Sequence, residues 1–539
     1  MKRRQILKYA SSAAIAAASG RFVLSSVSNS FAADIDANCP PYHAHHYAKT
    51  QEYLRRAKRL PKLATRIGAA QLPDRSTIPG ELRGDYEHLL RRIDEFKNGA
   101  VMVDGEPYGV PVYSAMTVSA RNGAHLSRYE IILSELQGKP GTFTAYEQEL
   151  TNAVLCLDSG YYAFLGGHTA NALAAGVRVE ALVALRDHRD DGLNKDELEH
   201  VTFIRAVRDG GMTDALWERM KKRIGTERGV VEYTWVVVVR NALHQFSWAV
   251  GAPEFPRDEF NKMLITAKPS AQAMIMTSNM RASSDAKCMS TPWLTYNTPA
   301  KQELLKRAKR IPKLPDRSSI PEQELVAFDI VAARSASFNK YTSPTGTVDL
   351  VDGEPYAVSE WAAYAVSPLL GAHMSWGGPV VDHDEGRPGG ISHLQHELID
   401  QTLSLDSGYY FWLAGHTPGV VAAGVRISTL EALRDHRDDL LSKDEMQSVQ
   451  FVRAVRDGAM TDDIWEQMKA TVGNEPAVVD YVCYVLLLDM HTRLNRAFGC
   501  PEMSRENFSK MLDEYKSGKR KGITYKELPY GPESRGQTK

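Results

Sequence analysis

The sequence predicts an all-α protein in which one helical unit occurs twice in tandem. The thirteen residues Leu157–Thr169, LDSGYYAFLGGHT, return at Leu405–Thr417 as LDSGYYFWLAGHT. Apolar residues around both phrases recur at helical spacing, and capping residues stand where those helices would begin. We therefore expect two helical bundles of one fold, packed against each other as a pseudo-dimer.

A constant displacement of the repeated motifs sets the extent of the two units. Asp104–Tyr108 recurs as Asp352–Tyr356, and Arg186–Asp191 recurs as Arg434–Asp439, in both cases 248 positions later. This constancy leaves almost no insertion inside the unit, and the differences in length fall nearer its start, in loops. The sequence predicts a first repeat over residues 33–270 and a second over residues 286–539.

The first 32 residues have the composition of an export signal. Arg3 and Arg4 precede an apolar stretch of small residues that ends at Ser30–Ala32. This order resembles a twin-arginine signal with cleavage after Ala32, which would direct the mature protein to the periplasm or out of the cell. An amphipathic or irregular N-terminal arm is the alternative.

Composition and cysteine usage exclude several classes of protein. The chain has 539 residues, of which 43% are hydrophobic and 24% charged, and its formal net charge is −1. That balance provides no basic field for nucleic acid, and no apolar run reaches the ~20 residues needed to cross a bilayer. None of the five cysteines forms a C-x-x-C pair. Cys39 and Cys288 occupy corresponding positions, where they either pair as a disulfide or remain free thiols.

The repeated phrase joins two predicted helices. The first runs over residues 144–157 and is broken at Asp158–Gly160, whereas the second ends at Gly176, a natural C-terminal stop. We expect Asp158 and its counterpart Asp406 to cap the start of the second helix with their side chains.

Capping motifs predict the later helices of each unit. Asn194–Glu197 and Ser442–Glu445 are capping boxes, and Thr213 and Thr461 are expected to cap the helices that follow. The stretch Val230–Val250 is strongly apolar. Its β-branched residues would also suit a strand, but its length favours a buried helix.

A glutamate and a histidine flank the helix break in each unit. Glu149 precedes His168 by nineteen residues, and Glu397 precedes His416 by the same interval. On successive antiparallel helices each pair can meet, and a carboxylate beside an imidazole in an apolar pocket is suited to proton transfer near neutral pH. The alternative is a buried hydrogen bond that only ties two helices together.

This pattern resembles the alkylhydroperoxidase AhpD-like family, which includes the carboxymuconolactone decarboxylases. The resemblance rests on Glu149, His168, Ala172 and Gly176, and the second copy departs from it with Val420 in place of Ala172. It implies a small all-α bundle that assembles into oligomers, with two such domains fused in this chain.

Two positions separate the chain from the peroxidase branch of that family. A C-x-x-C would stand seven and four residues before the histidine, where this chain has Tyr161 and Phe164, then Tyr409 and Trp412. Aromatic side chains cannot exchange disulfides, so the resemblance favours the decarboxylase branch, which relies on proton transfer. By resemblance, the candidate catalytic residues are Glu149, His168, Glu397 and His416.

Further residues are candidates for binding a substrate. His125 and His373 lie in matching Gly-Ala-His motifs and can reach the same pockets, although local loop hydrogen bonds would also explain them. Tyr161 and Tyr409 can donate a phenolic proton to a substrate oxyanion, with packing in the core as the alternative.

The sequence thus predicts an exported carboxymuconolactone decarboxylase-like enzyme that acts on a small organic acid, a lactone or an aromatic breakdown product. Its partner would be this small molecule, with neither nucleic acid nor membrane, and a homo-oligomer is compatible with the family. No cofactor is predicted, although His125, Glu149 and His168 would form a chemically reasonable metal site. The alternatives are a metal-assisted or other oxidoreductase and a non-catalytic binding or assembly protein.

Overall fold

The computed structural model describes residues 80–96, 101–103, 106–281, 310, 314–340, 350–351, 354–355, 357–377 and 390–523. The predicted export signal over residues 1–32 and the predicted pairing of Cys39 with Cys288 lie outside these residues. All helices and strands named below belong to a single compact unit, residues 35–539.

Helices make up almost all of the first copy. They are α1 (Arg83–Phe96), α2 (Val110–Met116), α3 (Ala120–Leu136), α4 (Ala145–Ser159), α5 (Leu165–Ala174), α6 (Val179–Arg186), α7 (Lys195–Asp209), α8 (Asp214–Ile224), α9 (Glu227–Ala249), α10 (Arg257–Ala267) and α11 (Ala271–Arg281). A two-residue hairpin of β1 (Met102–Val103) and β2 (Glu106–Pro107) follows α1. Short 3-10 turns lie at Gly80–Leu82, Thr117–Ser119 and Asp190–Gly192.

The second copy repeats this order. Its helices are α12 (Leu325–Lys340), α13 (Val358–Tyr364), α14 (Pro368–Ser375), α15 (His393–Ser407), α16 (Leu413–Ala422), α17 (Ile427–Arg434), α18 (Lys443–Arg456), α19 (Asp462–Val472), α20 (Glu475–Phe498) and α21 (Arg505–Lys516). The hairpin recurs as β3 (Leu350–Val351) and β4 (Glu354–Pro355), and 3-10 turns lie at Arg317–Ser319, Glu322–Glu324 and Asp438–Leu440. The all-α prediction is confirmed.

Local capping sets where several helices begin, as the sequence predicts. The side chain of Asn194 accepts a hydrogen bond from the backbone N–H of Glu197, which completes the capping box of α7, and Ser442 does the same for α18. Thr213 and Thr461 cap α8 and α19 through their side chains. These caps satisfy backbone N–H groups that the first turn of a helix leaves without partners.

The two longest helices form the centre of the molecule. The apolar stretch predicted as a buried helix is α9, and its counterpart α20 packs along it. Val236–Val239 are at most 1% exposed, so the packing on every side outweighs their preference for a strand. Among the described residues, no helix is both long and apolar enough to span a membrane.

Equivalent residues exchange contacts between the two copies. The hydroxyl of Ser119 donates a hydrogen bond to the carboxylate of Asp480, and the hydroxyl of Ser367, 248 positions later, donates to Glu232, the counterpart of Asp480. Contacts of this reciprocal kind are what a two-fold relation between two units produces. They support the pseudo-dimer, which stays a prediction.

A second pair of reciprocal contacts joins α9 and α20 to the ends of α7 and α18. The side chain of Gln245 donates to the backbone carbonyl of Arg456, and the side chain of Arg493 donates to the backbone carbonyl of Arg208. Glutamine in one copy and arginine in the other therefore serve the same contact.

Asp158 does not cap a helix as the sequence predicts. It is the penultimate residue of α4, and its buried carboxylate accepts hydrogen bonds at 2.8 Å from Arg205 and Arg208 of α7. Helix α5 begins later, at Leu165, and no side chain caps it. Asp406 holds the corresponding arginines of the second copy in the same way, so both N-cap predictions are wrong. Charge-assisted hydrogen bonds from two arginines of another helix stabilise these carboxylates more strongly than the backbone N–H groups at a helix start would.

Candidate functional site

In the first copy, Glu149 and His168 meet across neighbouring helices. The carboxylate Oε2 of Glu149 lies 2.8 Å from Nδ1 of His168. The chain reverses between α4 and α5 at Gly160, whose φ of 72° is in the left-handed region that favours glycine. Residues 161–164 then cross outside any helix, so Tyr161 and Phe164 precede the helix that carries the histidine.

The environment of this pair keeps the glutamate ionised. Burial alone would raise the pKa of Glu149, but the His168 ring and its hydrogen bond outweigh burial and lower that pKa. The side-chain amide of Asn152 donates a further hydrogen bond to the same carboxylate oxygen at 3.2 Å. Because Nδ1 faces Glu149, Nε2 is the ring nitrogen left to exchange a proton with a bound molecule.

A small cavity adjoins the imidazole of His168. Its volume is about 50 Å³, and Glu149 is not part of its wall. The wall residues that matter for chemistry are His168, Glu130, Arg240 and Tyr113. The remaining wall is mainly apolar and comes from α1, α2, α9 and the segments before α2, before α5 and after α9. It consists of Phe96, Tyr108, Gly109, Pro111, Val112, Ala163, Phe164, Leu243, Ala252 and Pro253.

A charged cluster forms one wall of this cavity. Glu130 accepts a hydrogen bond from the hydroxyl of Tyr113 and another, at 2.6 Å, from Nη1 of Arg240. Arg92 donates to the hydroxyl of Tyr113 at 2.9 Å and lies 3.4 Å from Glu130. Burial would raise the pKa of Glu130, but Arg240 and Arg92 outweigh burial and lower it. The cluster therefore combines a carboxylate with two guanidinium groups.

One N–H donor of the Arg240 guanidinium is available to a bound molecule. Its side chain is 6% exposed, and among the described residues its Nε–H has no hydrogen-bond partner. A buried donor without a partner costs free energy, on the order of 1–3 kcal/mol, which a bound acceptor would recover.

The corresponding pair in the second copy has a different geometry. Nδ1 of His416 lies 2.8 Å from Oδ2 of Asp400 and 3.7 Å from Oε2 of Glu397. Asp400 takes the place of Asn152, so the amide of the first copy becomes a second carboxylate. Burial would lower the pKa of His416, but Asp400 and Glu397 raise it to about 10.

Two charged residues of the first cavity wall have uncharged counterparts in the sequence of the second copy. Leu488 stands in place of Arg240, and Gly378 in place of Glu130.

Bulkier side chains replace wall residues of the first cavity at three equivalent positions. They are Glu360, Trp361 and Trp412, which stand where the first copy has Val112, Tyr113 and Phe164. Two of these side chains have hydrogen-bond partners in the second copy. Glu360 lies 2.8 Å from Nδ1 of His491, and the indole N–H of Trp412 donates to the hydroxyl of Thr492 at 2.9 Å. The two copies have thus diverged in chemistry while keeping one fold.

Within the described residues, one group of three side chains has the arrangement of metal ligands. Donor atoms of Glu397, Asp400 and His416 all lie within 4.8 Å of one another, and the three residues are buried. The set proposed from the sequence, His125 with Glu149 and His168, is not such a group. A buried carboxylate–carboxylate–imidazole set can hold a divalent cation.

His125 and His373 pack against each other where the two copies meet. Their rings stack with centroids 4.1 Å apart, and Nε2 of His373 lies 2.9 Å from the backbone carbonyl of His125. Burial lowers the pKa of His373 to about 4, and the pKa of His125 falls for the same reason. The cavity beside His168 does not include His125 in its wall, so a role of these histidines in substrate binding stays a prediction.

The two candidate tyrosines serve the packing of the core. The hydroxyl of Tyr161 donates to the backbone carbonyl of Ala252 at 2.6 Å, and that of Tyr409 donates to the carbonyl of Cys500 at 2.9 Å. Both rings are 1% exposed, and Tyr161 is not part of the cavity wall. These contacts favour the core-packing alternative over substrate binding.

The sequence pattern did not point to Asp400 and Arg240, nor to Glu130 and Tyr113 of the cavity wall and Arg92 beside them. Alignment of the two copies by 248 positions shows Asp400 opposite Asn152, a difference of charge beside the matched glutamate. Arg240 interrupts the long buried helix α9, and a charge inside a buried helix is itself a signal of a polar partner.

No family model, curated protein or solved structure matches this chain. The resemblance to the AhpD-like family therefore remains a hypothesis based on the sequence motif.

Proposed function

We propose that the first copy is an acid–base catalyst that acts on a small organic acid or lactone. The observation that carries the proposal is the position of His168, which contacts Glu149 on one side and borders a cavity with a charged wall on the other. An imidazole oriented by a carboxylate and open to a small cavity is an effective general base or acid.

The roles of the two residues differ from those that the sequence suggests. Glu149 is not in the cavity wall, so it acts as a positioning residue that holds Nδ1 of the ring. His168 is the catalytic residue, and its Nε2 would remove a proton from the substrate and return it to the product. The guanidinium of Arg240 would bind a substrate carboxylate or a developing oxyanion through its free Nε–H.

The size of the cavity restricts the substrate. An engineered cavity of about 150 Å³ accommodates benzene, whereas this cavity has about 50 Å³. The present volume therefore favours the smallest members of the class over an aromatic breakdown product. Export through the segment 1–32 belongs to the same proposal and rests on the sequence alone.

Turnover by the full chain and by variants of the pair tests this proposal. The protein is incubated with a panel of short-chain lactones and small carboxylic acids, and products are followed by NMR. We expect Glu149→Gln and His168→Asn to lower kcat by about 10²–10⁴-fold, since general acid–base catalysis has this magnitude. We expect Arg240→Lys to raise KM, because an ammonium group cannot replace the planar guanidinium.

A neighbouring glutamate provides the matched control. Glu147 lies in the capping box of α4, where glutamine also serves, so Glu147→Gln is expected to keep full turnover. Loss of thermal stability in Glu149→Gln without loss of turnover would support a purely structural role for Glu149 and overturn the catalytic role proposed for the pair. Absence of turnover by the wild-type chain across the panel would overturn the substrate class.

A further inference from the structure

Helix α15 carries three potential ligands on one face. His393, Glu397 and Asp400 are spaced at i, i+4 and i+7, which places them in one line along a helix. His416 reaches the same place from α16, with Nδ1 at 2.8 Å from Oδ2 of Asp400. Nε2 of His393 lies 3.7 Å from Oε1 of Glu397, at the end of this line.

The two carboxylates are buried and only partly satisfied. The side chains of Asp400 and Glu397 are 0% and 2% exposed. Within the part of the chain that the structure describes, Oδ1 of Asp400 and Oε2 of Glu397 have no hydrogen-bond partner. Buried carboxyl oxygens without partners cost free energy, so a group that binds them both is favoured.

The charges of the three side chains call for a cation. The set combines two buried carboxyl groups with one imidazole, and its oxygen and nitrogen atoms are donors that suit a divalent cation. With a divalent cation and a neutral imidazole the same three side chains balance to zero, which removes most of the cost of burying them.

From this geometry we propose that the second copy binds one divalent transition-metal ion through Glu397, Asp400 and His416, with His393 as a further ligand. Ligands around an ion with bonds of about 2.1 Å stand roughly 3 Å apart, which the donor atoms can reach from their present separations within 4.8 Å. Mixed carboxylate and imidazole ligands fit Zn²⁺, Mn²⁺ or Fe²⁺ better than Mg²⁺ or Ca²⁺.

Among the described residues, the first copy has no equivalent ligand set, so it serves as an internal control. Asn152 replaces Asp400 and Ala145 replaces His393, so that one carboxylate and one histidine remain. The inference is independent of the acid–base function proposed for Glu149 and its histidine.

Metal content of the purified full chain tests the site. Elemental analysis should find about one transition-metal ion per chain, and after chelation by EDTA titration calorimetry with Zn²⁺ or Mn²⁺ should restore one site. Removal of a group that only contacts a metal ligand can lower metal affinity by about 100-fold, and removal of a direct ligand should lower it at least as much. We therefore expect Glu397→Gln and Asp400→Asn each to weaken metal binding by about 100-fold or more. The melting temperature of the wild type should rise with metal and that of the variants should not.

The same substitution in the first copy separates the two proposals. Glu149→Gln should keep the metal, although it is expected to lose turnover. A wild-type chain that binds no transition metal after chelation would overturn the inference. It would also be overturned if Glu397→Gln and Asp400→Asn bound the ion as tightly as Glu149→Gln, since binding would then lie elsewhere, for instance at the histidines between residues 43 and 46.

Discussion

Replacement of Asp406 by asparagine tests how strongly the ion pairs of this buried carboxylate stabilise the fold. The buried carboxylate of Asp406, at the end of α15, accepts hydrogen bonds from Arg453 at 2.7 Å and from Arg456 at 2.8 Å. A helix cap at this position would contribute only about 1 kcal/mol. A buried pair that loses its carboxylate costs about 3–5 kcal/mol, because the buried guanidinium of Arg456 loses a counter-charge.

The shift in pKa provides a second measure of the same interaction. Burial would raise the pKa of Asp406, but Arg456 and Arg453 lower it from 3.8 to about 2. A shift of that size corresponds to about 2–3 kcal/mol. Since the folded-state pKa is the lower one, this contribution is present above about pH 3.8 and is lost as the pH falls through about 2.

The assay is denaturation by guanidinium chloride at pH 7 and at pH 2. At pH 7 we expect Asp406→Asn to lower the free energy of unfolding by about 3 kcal/mol. At pH 2 the free energies of unfolding of the variant and the wild type should converge. Asp439→Asn is the control, since Asp439 and Arg437 are 62% and 57% exposed and their pair contributes at most about 1 kcal/mol. Equal losses in both variants would refute the role assigned to Asp406.

Three further predictions concern packing, thiol reactivity and pH. Gly123→Ala should destabilise the fold by about 1–3 kcal/mol in thermal melts, since its Cβ would lie 2.5 Å from a backbone carbonyl, whereas Gly211→Ala, with no atom within 4 Å of its Cβ, should be tolerated. Cys156 is buried and burial raises its pKa to about 12, so iodoacetamide at pH 8 should label it only after unfolding, and mass spectrometry of native protein that shows rapid labelling would contradict this. His373, whose pKa burial lowers to about 4, stabilises the fold above pH 6.5 and loses this contribution as the pH falls through about 4. Substitution of His373 by Gln should flatten that part of the stability profile, and an unchanged profile would show that other groups cause it.

Local sequence signals predict much of the fold. Asn194, Ser442, Thr213 and Thr461 start their helices as predicted, because a cap depends only on a side chain and backbone groups two or three residues away. The break at Gly160 follows from the same kind of local reasoning, since glycine alone adopts its left-handed conformation at no steric cost.

Residues whose partners are distant in sequence were less predictable. Asp158 and Asp406 look like helix caps from their neighbours, yet their arginines come from helices almost fifty residues further along the chain. His125 and His373 look like pocket ligands, yet each has the other as its partner. Which charges and rings share a buried place depends on how helices pack, and local pattern does not contain that information.

The sequence by itself determined that this chain is all-α, that its unit is repeated, and that a glutamate and a histidine recur at matched positions. These features depend on periodicity, caps and spacing, which are properties of short segments. Only the tertiary structure decided that Glu149 orients a histidine beside a charged cavity, while Glu397 joins Asp400 and His416 in a buried cluster. The reason is that burial and neighbouring charge set the chemistry of a carboxylate, and both arise only when separate helices come together.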